Sequence, residues 1–333
     1  MYNIDELRES LQVAIQQEND RFAQKYAGNE SVRWFCDLNK NGKQMRGMLL
    51  LLTYYINTQN LETAKRDALP LAVAVEFMET SLLIQDDTID MGRCRRNQPT
   101  IHEALQAELG MERTDAGVAS HLLGMCGISY ALSLLQSYNG VIQDTFYEML
   151  RDTIHGEALD ILAPLHDINE DLPSDQREEL ISGIAIWKTA VYSFEVPMYL
   201  GYLLSGGTER DWFRTVGRRL GQMFQMKNDL KALEEVRNGT GMTDITPYRL
   251  TAANATAFQL RECLKEPVLR INKSDADHKT IRDQYPYDEV QKELSSKISR
   301  HLESTLSFLR NEPNPFRNRE LDPLKKYIEA LFV

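Results

Sequence analysis

EFMETSLLIQDDTIDMGRCRRNQPTIH, residues 76 to 102, sets Asp86, Asp87 and Asp90 directly behind the apolar run Leu82-Leu83-Ile84. A helix stacks residues four apart, so Asp86 and Asp90 lie side by side with Asp87 flanking them. Three carboxylates at the end of a face meant for burial repel unless a cation sits among them, and oxygen-only ligands point to magnesium rather than zinc. Arg93, Arg95 and Arg96 follow at once. Carboxylates for a metal followed by forked guanidinium donors suit a diphosphate. Taken alone, an acidic cluster is more often a solvated face paired with its own arginines. The metal reading gains weight only from agreement with motifs elsewhere.

Composition sets the outer bounds. The 333 residues are 42% hydrophobic and 26% charged, enough to bury a sizeable core. A net charge of −11 argues against a nucleic-acid surface. The N-terminal segment MYNIDELRESLQVAIQQ carries acids early and lacks the apolar region of a signal peptide. No apolar run reaches the roughly 18 residues of a membrane span. Cys36, Cys94, Cys126 and Cys263 are isolated, which predicts reduced thiols and a cytoplasmic protein without structural zinc.

Apolar spacing is helical almost throughout. It begins at Leu7, Leu11, Val13 and Ala14 and continues through 48–56, 69–89, 122–135, 146–162, 180–204 and 212–236. No stretch alternates as a strand does. Turn chemistry gathers at 137–140, 170–175 and 238–241, and Pro197 predicts a kink within the 180–204 segment. A loop over 311–319 precedes a last helix, 321–332. The expectation is an all-α, single-domain bundle of residues 1–333 around a central cavity.

Other groups invite chemistry. Lys43 and Arg46, three apart at a helix start, can share a phosphate with the backbone N–H groups there, although a solvated basic turn is the commoner meaning of such a pair. Lys188, within the apolar segment GIAIWKTAVYSFEVPMYLG, is costly unless its amine finds a partner or reaches water.

In order and spacing these motifs resemble the trans-type isoprenyl diphosphate synthases, the polyprenyl synthetase family. Asp86-Asp87-x-x-Asp90 with Arg95-Arg96, Pro99 and His102 matches the family's first aspartate-rich motif. Gly42-Lys43-x-x-Arg46 is similar to its upstream basic motif, Gly156-Glu157-x-x-Asp160 to its central helix, Lys188-Thr189 to its lysine-threonine pair, and Phe224-Gln225-x-x-Asn228-Asp229 to its second acidic motif. The resemblance implies magnesium-dependent condensation of an allylic diphosphate with isopentenyl diphosphate. It implies a metal held by Asp86, Asp87 and Asp90 with Asn228 and Asp229, and an allylic diphosphate met by Arg95, Lys188, Thr189, Gln225 and Arg249. An isopentenyl diphosphate clamp of Lys43, Arg46 and Arg96 and a homodimer complete the picture.

Three departures qualify it. The second acidic motif reads Asn228-Asp229-Leu230-Lys231-Ala232, so one carboxylate has become an amide and another is missing. Lys231 could contact diphosphate itself or pair with Glu235. Glu79 stands where the family carries a histidine three residues after Glu76, in a position that faces isopentenyl diphosphate, and an ionised carboxylate cannot donate to phosphate. Gly239 replaces a lysine five residues before Asp244, while Arg249 and Thr251 keep a basic-x-Thr pattern. An altered second-substrate side leaves room for a prenyltransferase using another acceptor, such as a peptide indole or a sugar phosphate, or for a catalytically silent partner subunit. For product length, Ser81 lies about one helical turn below Asp86 and Met78 and Phe77 about two, which predicts a tunnel for products of about twenty carbons or longer.

Overall fold

Leu7, Leu11, Ile15 and Phe22 form one buried stripe at helical spacing along the first helix, Ile4–Lys25. Val13, expected with that stripe, is on the outer face at 57% exposure, because it falls between the positions four apart that turn inward. The computed structural model describes residues 4–96, 98–170, 172–237, 249–270, 275–316 and 319–332. They are almost wholly helical. Short helices Ser31–Lys40, Ile101–Leu109, Ala252–Leu260 and Lys265–Leu269 sit among longer ones: Met45–Thr58, Leu69–Ile89, Arg113–Ser133, Gly140–Glu170, Asp211–Arg237 and Tyr287–Asn311. Asp322–Phe332 closes the chain where a last helix is expected. The expected break at 238–241 lies outside the described residues.

One feature escaped the periodicity. Cys94–Arg95 and Gln98–Pro99 pair as an antiparallel hairpin two residues deep on each side, too short to show alternation. It follows the three aspartates and fixes where Arg95 and Arg96 point.

The chain divides into two compact units. The first comprises Met1–Thr145, Pro197–Glu209 and Phe316–Leu324. Its centre is the Leu69–Ile89 helix, buried on every side from Leu71 through Leu82, as a helix apolar all round must be. Ile4–Lys25, Met45–Thr58 and Arg113–Ser133 pack against it. Arg113–Ser133 approaches closely because Gly127 has no side chain: a Cβ there would collide with Ser81 Oγ and the Phe35 ring. By length and composition alone this helix is long and apolar enough to cross a membrane, its few charges clustering at its first turn.

The second unit comprises Phe146–Val196, Arg210–Pro315 and Lys325–Val333. Met226, Phe258, Leu264, Leu269, Val290 and Leu294 are among its core residues. The segment expected to kink at Pro197 carries a change of hydrogen-bond pattern just before it. Ala185–Glu195 is a π-helix, and α-helical pairing resumes at Val196–Leu204, where proline cannot donate. The π-helix packs along Asp211–Arg237.

Candidate functional site

The Leu69–Ile89 helix ends at the carboxylates. Asp90 closes its last turn by donating its N–H to Asp86 O at 2.9 Å, and Gly92 N–H returns to Asp87 O at 2.9 Å. Arg95 reaches back from the hairpin. Its Nε lies 2.7 Å from both carboxylate oxygens of Asp87, and a terminal nitrogen lies 2.8 Å from Asp86 Oδ2. Of the arginines that follow these carboxylates in sequence, Arg95 is the one that pairs with Asp86 and Asp87, because the hairpin folds it back over the helix end. Asp87 is buried, and burial lifts its carboxyl to about 6 against the opposing pull of Arg95. Asp86 and Asp90 are half-buried, and Arg93 is exposed.

Among the described residues no three acidic, histidine or cysteine side chains are already gathered as a metal cage. The chemistry of the Asp86, Asp87 and Asp90 donors nevertheless fits magnesium. All are carboxylates, Asp87 is held ionised at a cost of burial that a divalent ion offsets, and two of the three keep a solvent-facing edge.

The basic motif folds in a way its spacing did not convey. Lys43 is exposed, whereas Arg46 is buried and forms an ion pair with Glu79. Arg96 adopts a left-handed backbone with φ of 54°, donates to Leu38 O at 2.6 Å and stands 3.6 Å from the same Glu79 oxygen. Glu76, one turn earlier, accepts the Gly47 N–H at 2.6 Å. Burial pushes the Glu76 carboxyl well above its ordinary value, and the Glu79 charge beside it adds to this. Burial acts on Glu79 too, but Arg46 and Arg96 outweigh it and hold that carboxyl below its ordinary value.

Deeper along the helix, Ser81 is fully buried and donates to Phe77 O at 2.7 Å. Phe77 sits in an aromatic cluster, its ring centre 5.3 Å from Tyr130, 5.6 Å from Phe35 and 5.8 Å from Phe22. Met78 is fully buried beside it.

In the second unit, Lys188 projects from the π-helix between two carboxylates of Gly140–Glu170, 2.9 Å from Glu157 Oε2 and 2.9 Å from Asp160 Oδ2. The helices can approach this far because residue 156 is glycine, whose Cβ would strike the Lys188 backbone nitrogen. Glu157 and Asp160 are thus the partners a buried lysine requires, and their spacing of three on one face was the available signal. Arg249 Nε lies 3.5 Å from Asp160 Oδ2. Thr189 donates to Gln225 Oε1 at 2.9 Å, and Gln225 Nε2 donates to Asp229 Oδ1 at 3.2 Å. Asp229 also accepts the Ala253 N–H at 3.2 Å, at the start of the Ala252–Leu260 helix that Thr251 caps. Burial lifts the Asp229 carboxyl to about 6, opposed by those donors. Asn228 and Lys231, on the outer side of the same helix, are exposed. Gly239 and Asp244 lie outside the described residues, as does the side chain of Glu235.

In the first unit carboxylates meet a guanidinium at a helix end, and in the second an ammonium meets carboxylates on helix faces, groups suited to phosphate esters. Residues 35–285 match the model of the polyprenyl synthetase family, and the chain belongs to that family. Its relatives include a farnesyl pyrophosphate synthase of Candida albicans, 30% identical over 213 residues, covering 60% of this chain and 59% of that one. A geranylgeranyl diphosphate synthase of Cyanophora paradoxa is 27% identical over 208 residues, 60% of this chain and 64% of its own. The chain thus spans about three fifths of the length of the curated relatives it matches. The fold is similar to that of geranylgeranyl pyrophosphate synthase from Corynebacterium glutamicum, complexed with isoprenyl diphosphate and magnesium, at a TM-score of 0.75 and 22% identity over 99% of this chain and 98% of that one. It is also similar to heptaprenyl diphosphate synthase from Staphylococcus aureus, at 0.74 and 16%, over 99% and 98%.

Proposed function

We propose that this chain is a magnesium-dependent prenyltransferase that ionises an allylic diphosphate and joins it head to tail to isopentenyl diphosphate. The reading rests on the Asp86–Asp87 pair gripped by Arg95 at the end of an apolar helix, in a chain of the polyprenyl synthetase family. Asp86, Asp87 and Asp90 in the first unit and Asp229, with Asn228 beside it, in the second are the metal-binding candidates. Bound magnesium supplies Lewis acidity toward the departing diphosphate.

The chain's own groups do the rest. Arg95 in the first unit, and Lys188 and Arg249 with Thr189 and Gln225 in the second, are the candidates to bring positive charge to diphosphate oxygens as the allylic carbon–oxygen bond breaks. Arg46 and Arg96, now paired with Glu79, are the candidates to hold isopentenyl diphosphate, with Lys43 exposed at the same helix start. Apolar walls keep water from the allylic carbon, so the acceptor double bond forms the new carbon–carbon bond and a proton leaves to the departing diphosphate. Ser81 and Gly127 keep side-chain volume low one turn below Asp86, with the Phe77 cluster deeper, and a growing chain of about twenty carbons or longer would run along this face.

The family match runs through segments of both units, which supports one working domain. Val118, Leu122 and Met125, at 55%, 57% and 51% exposure, line one face of Arg113–Ser133, and a second copy of the chain covers them in a homodimer; the same helix then has no membrane to cross. Four unpaired cysteines support a cytoplasmic setting. A second reading, transfer to an acceptor other than isopentenyl diphosphate, is favoured by one observation, the occupation of Arg46 by Glu79.

The test is radiometric, with purified protein, magnesium, labelled isopentenyl diphosphate and each allylic diphosphate in turn. Elongated product supports the first reading. Allylic diphosphate release without elongation supports the second, and no turnover or binding of any allylic diphosphate overturns both.

A further inference from the structure

The first turn of Met45–Thr58 and the Arg96 side chain together form an anion site. The Gly47 N–H sits at a helix start, where unpaired amides favour negative charge. Arg46 follows Met45 in that turn with its side chain only 5% exposed, and Arg96 comes in from the hairpin, its guanidinium packed over Gly42. An amide and two guanidiniums converging on one place are what a diphosphate requires. Here the anions are the chain's own: Glu76 takes the Gly47 amide, and one oxygen of Glu79 takes both arginines.

We propose that Glu79 is a specificity-determining residue that acts as a resident anion, so that an acceptor diphosphate enters only by displacing its carboxylate from Arg46 and Arg96. This rests on the reading of Arg46 and Arg96 as the acceptor clamp. Displacement is expensive because Glu79, with 8% of its side chain exposed, has no solvent to receive it, and a buried carboxylate parted from its cations is strongly disfavoured. The site therefore binds a diphosphate weakly and discriminates against acceptors whose only handle is that group. Allylic diphosphate recognition, assigned to other residues, is untouched.

Removing the charge at Glu79 vacates the site. Glu79→Gln keeps the shape and leaves Arg46 and Arg96 to an external anion. Binding of inorganic pyrophosphate is measured by calorimetry with a chelator present, so that the acidic clusters hold no metal. Glu79→Gln should bind it about tenfold or more tightly than wild type, and adding Arg96→Gln should abolish the gain. Pyrophosphate should also raise the melting temperature of Glu79→Gln more than that of wild type. Should Glu79→Gln fail to fold, Glu79→His carries the same comparison. Equal or weaker pyrophosphate binding in the folded variant overturns the proposal. The assay needs no turnover, so it decides the role of Glu79 even if the chain elongates nothing, and a failure of elongation with the pyrophosphate gain intact counts only against the proposed reaction.

Discussion

Arg95 faces Asp87 with its Nε equidistant, at 2.7 Å, from the two carboxylate oxygens. The guanidinium is the counter-charge of a buried carboxylate that burial has nonetheless lifted to about 6. A carboxyl that binds its proton more tightly in the folded state stabilises the fold in acid, and that stabilisation is lost as pH rises through about 6.

Asp87→Asn removes this penalty. Without metal, the variant should melt a few degrees above wild type near pH 7 and lose the advantage near pH 4, below which both carry a neutral group. Magnesium should raise the wild-type melting temperature more than that of the variant, and turnover should fall by on the order of a thousandfold. Calorimetric scans across pH with and without magnesium decide it; a variant that melts below wild type near pH 7 and keeps full activity removes Asp87 from the metal set.

Lys188 gives a prediction in the second unit. Lys188→Met leaves Glu157 and Asp160 without the ammonium between them, which should cost on the order of 2 kcal/mol, less than for a fully buried pair because the side chain keeps 16% exposure. In kinetics the Michaelis constant for the allylic diphosphate should rise while that for isopentenyl diphosphate holds. An equal rise in both would show that Lys188 only braces the Gly140–Glu170 helix.

Leu122 tests assembly. Leu122→Glu puts a charge in the middle of the exposed stripe of Arg113–Ser133, at a residue 57% exposed. Light scattering should show the wild-type dimer and a monomeric variant with unchanged helical circular dichroism. A variant that stays dimeric moves the interface to another face.

How far the sequence could be read follows from what each signal reports. Helix content and the break before Gly140 were legible because apolar spacing and turn chemistry are local. The placement of Asp86, Asp87 and Asp90 at the end of one helix was legible because helical spacing is local. The Arg46–Glu79 pair was not, since residues 33 apart in sequence meet only when the Met45–Thr58 and Leu69–Ile89 helices pack together, and no spacing rule encodes that meeting. Likewise Lys43 and Arg46 read as one phosphate grip, yet Arg46 turns inward because a buried carboxylate awaits it. The π-helix that carries Lys188 was also invisible, because its pairing differs from an α-helix by one residue and leaves the apolar pattern intact.

Ser81 carries the prediction on product length. Its hydroxyl donates to Phe77 O and lies where a Cβ on Gly127 would sit, with the Phe35 ring against the same glycine, so the turn below Asp86 is packed by a serine, a glycine and a phenylalanine. Ser81→Phe adds a ring where a Cβ on Gly127 already has no room, and something must move. If Phe35 gives way, the new ring occupies the path at roughly 5.4 Å below the aspartates, about one isoprene unit above the Phe77 cluster. The variant should then release products one or more isoprene units shorter, with a melting temperature lowered by overpacking worth about 1–3 kcal/mol. Product chromatography and thermal melting together read the outcome. Shorter products at lower stability place the growing chain against this face of the Leu69–Ile89 helix, whereas a destabilised variant with an unchanged product distribution means that Ser81 serves only the packing against Gly127 and that another helix sets the tunnel floor.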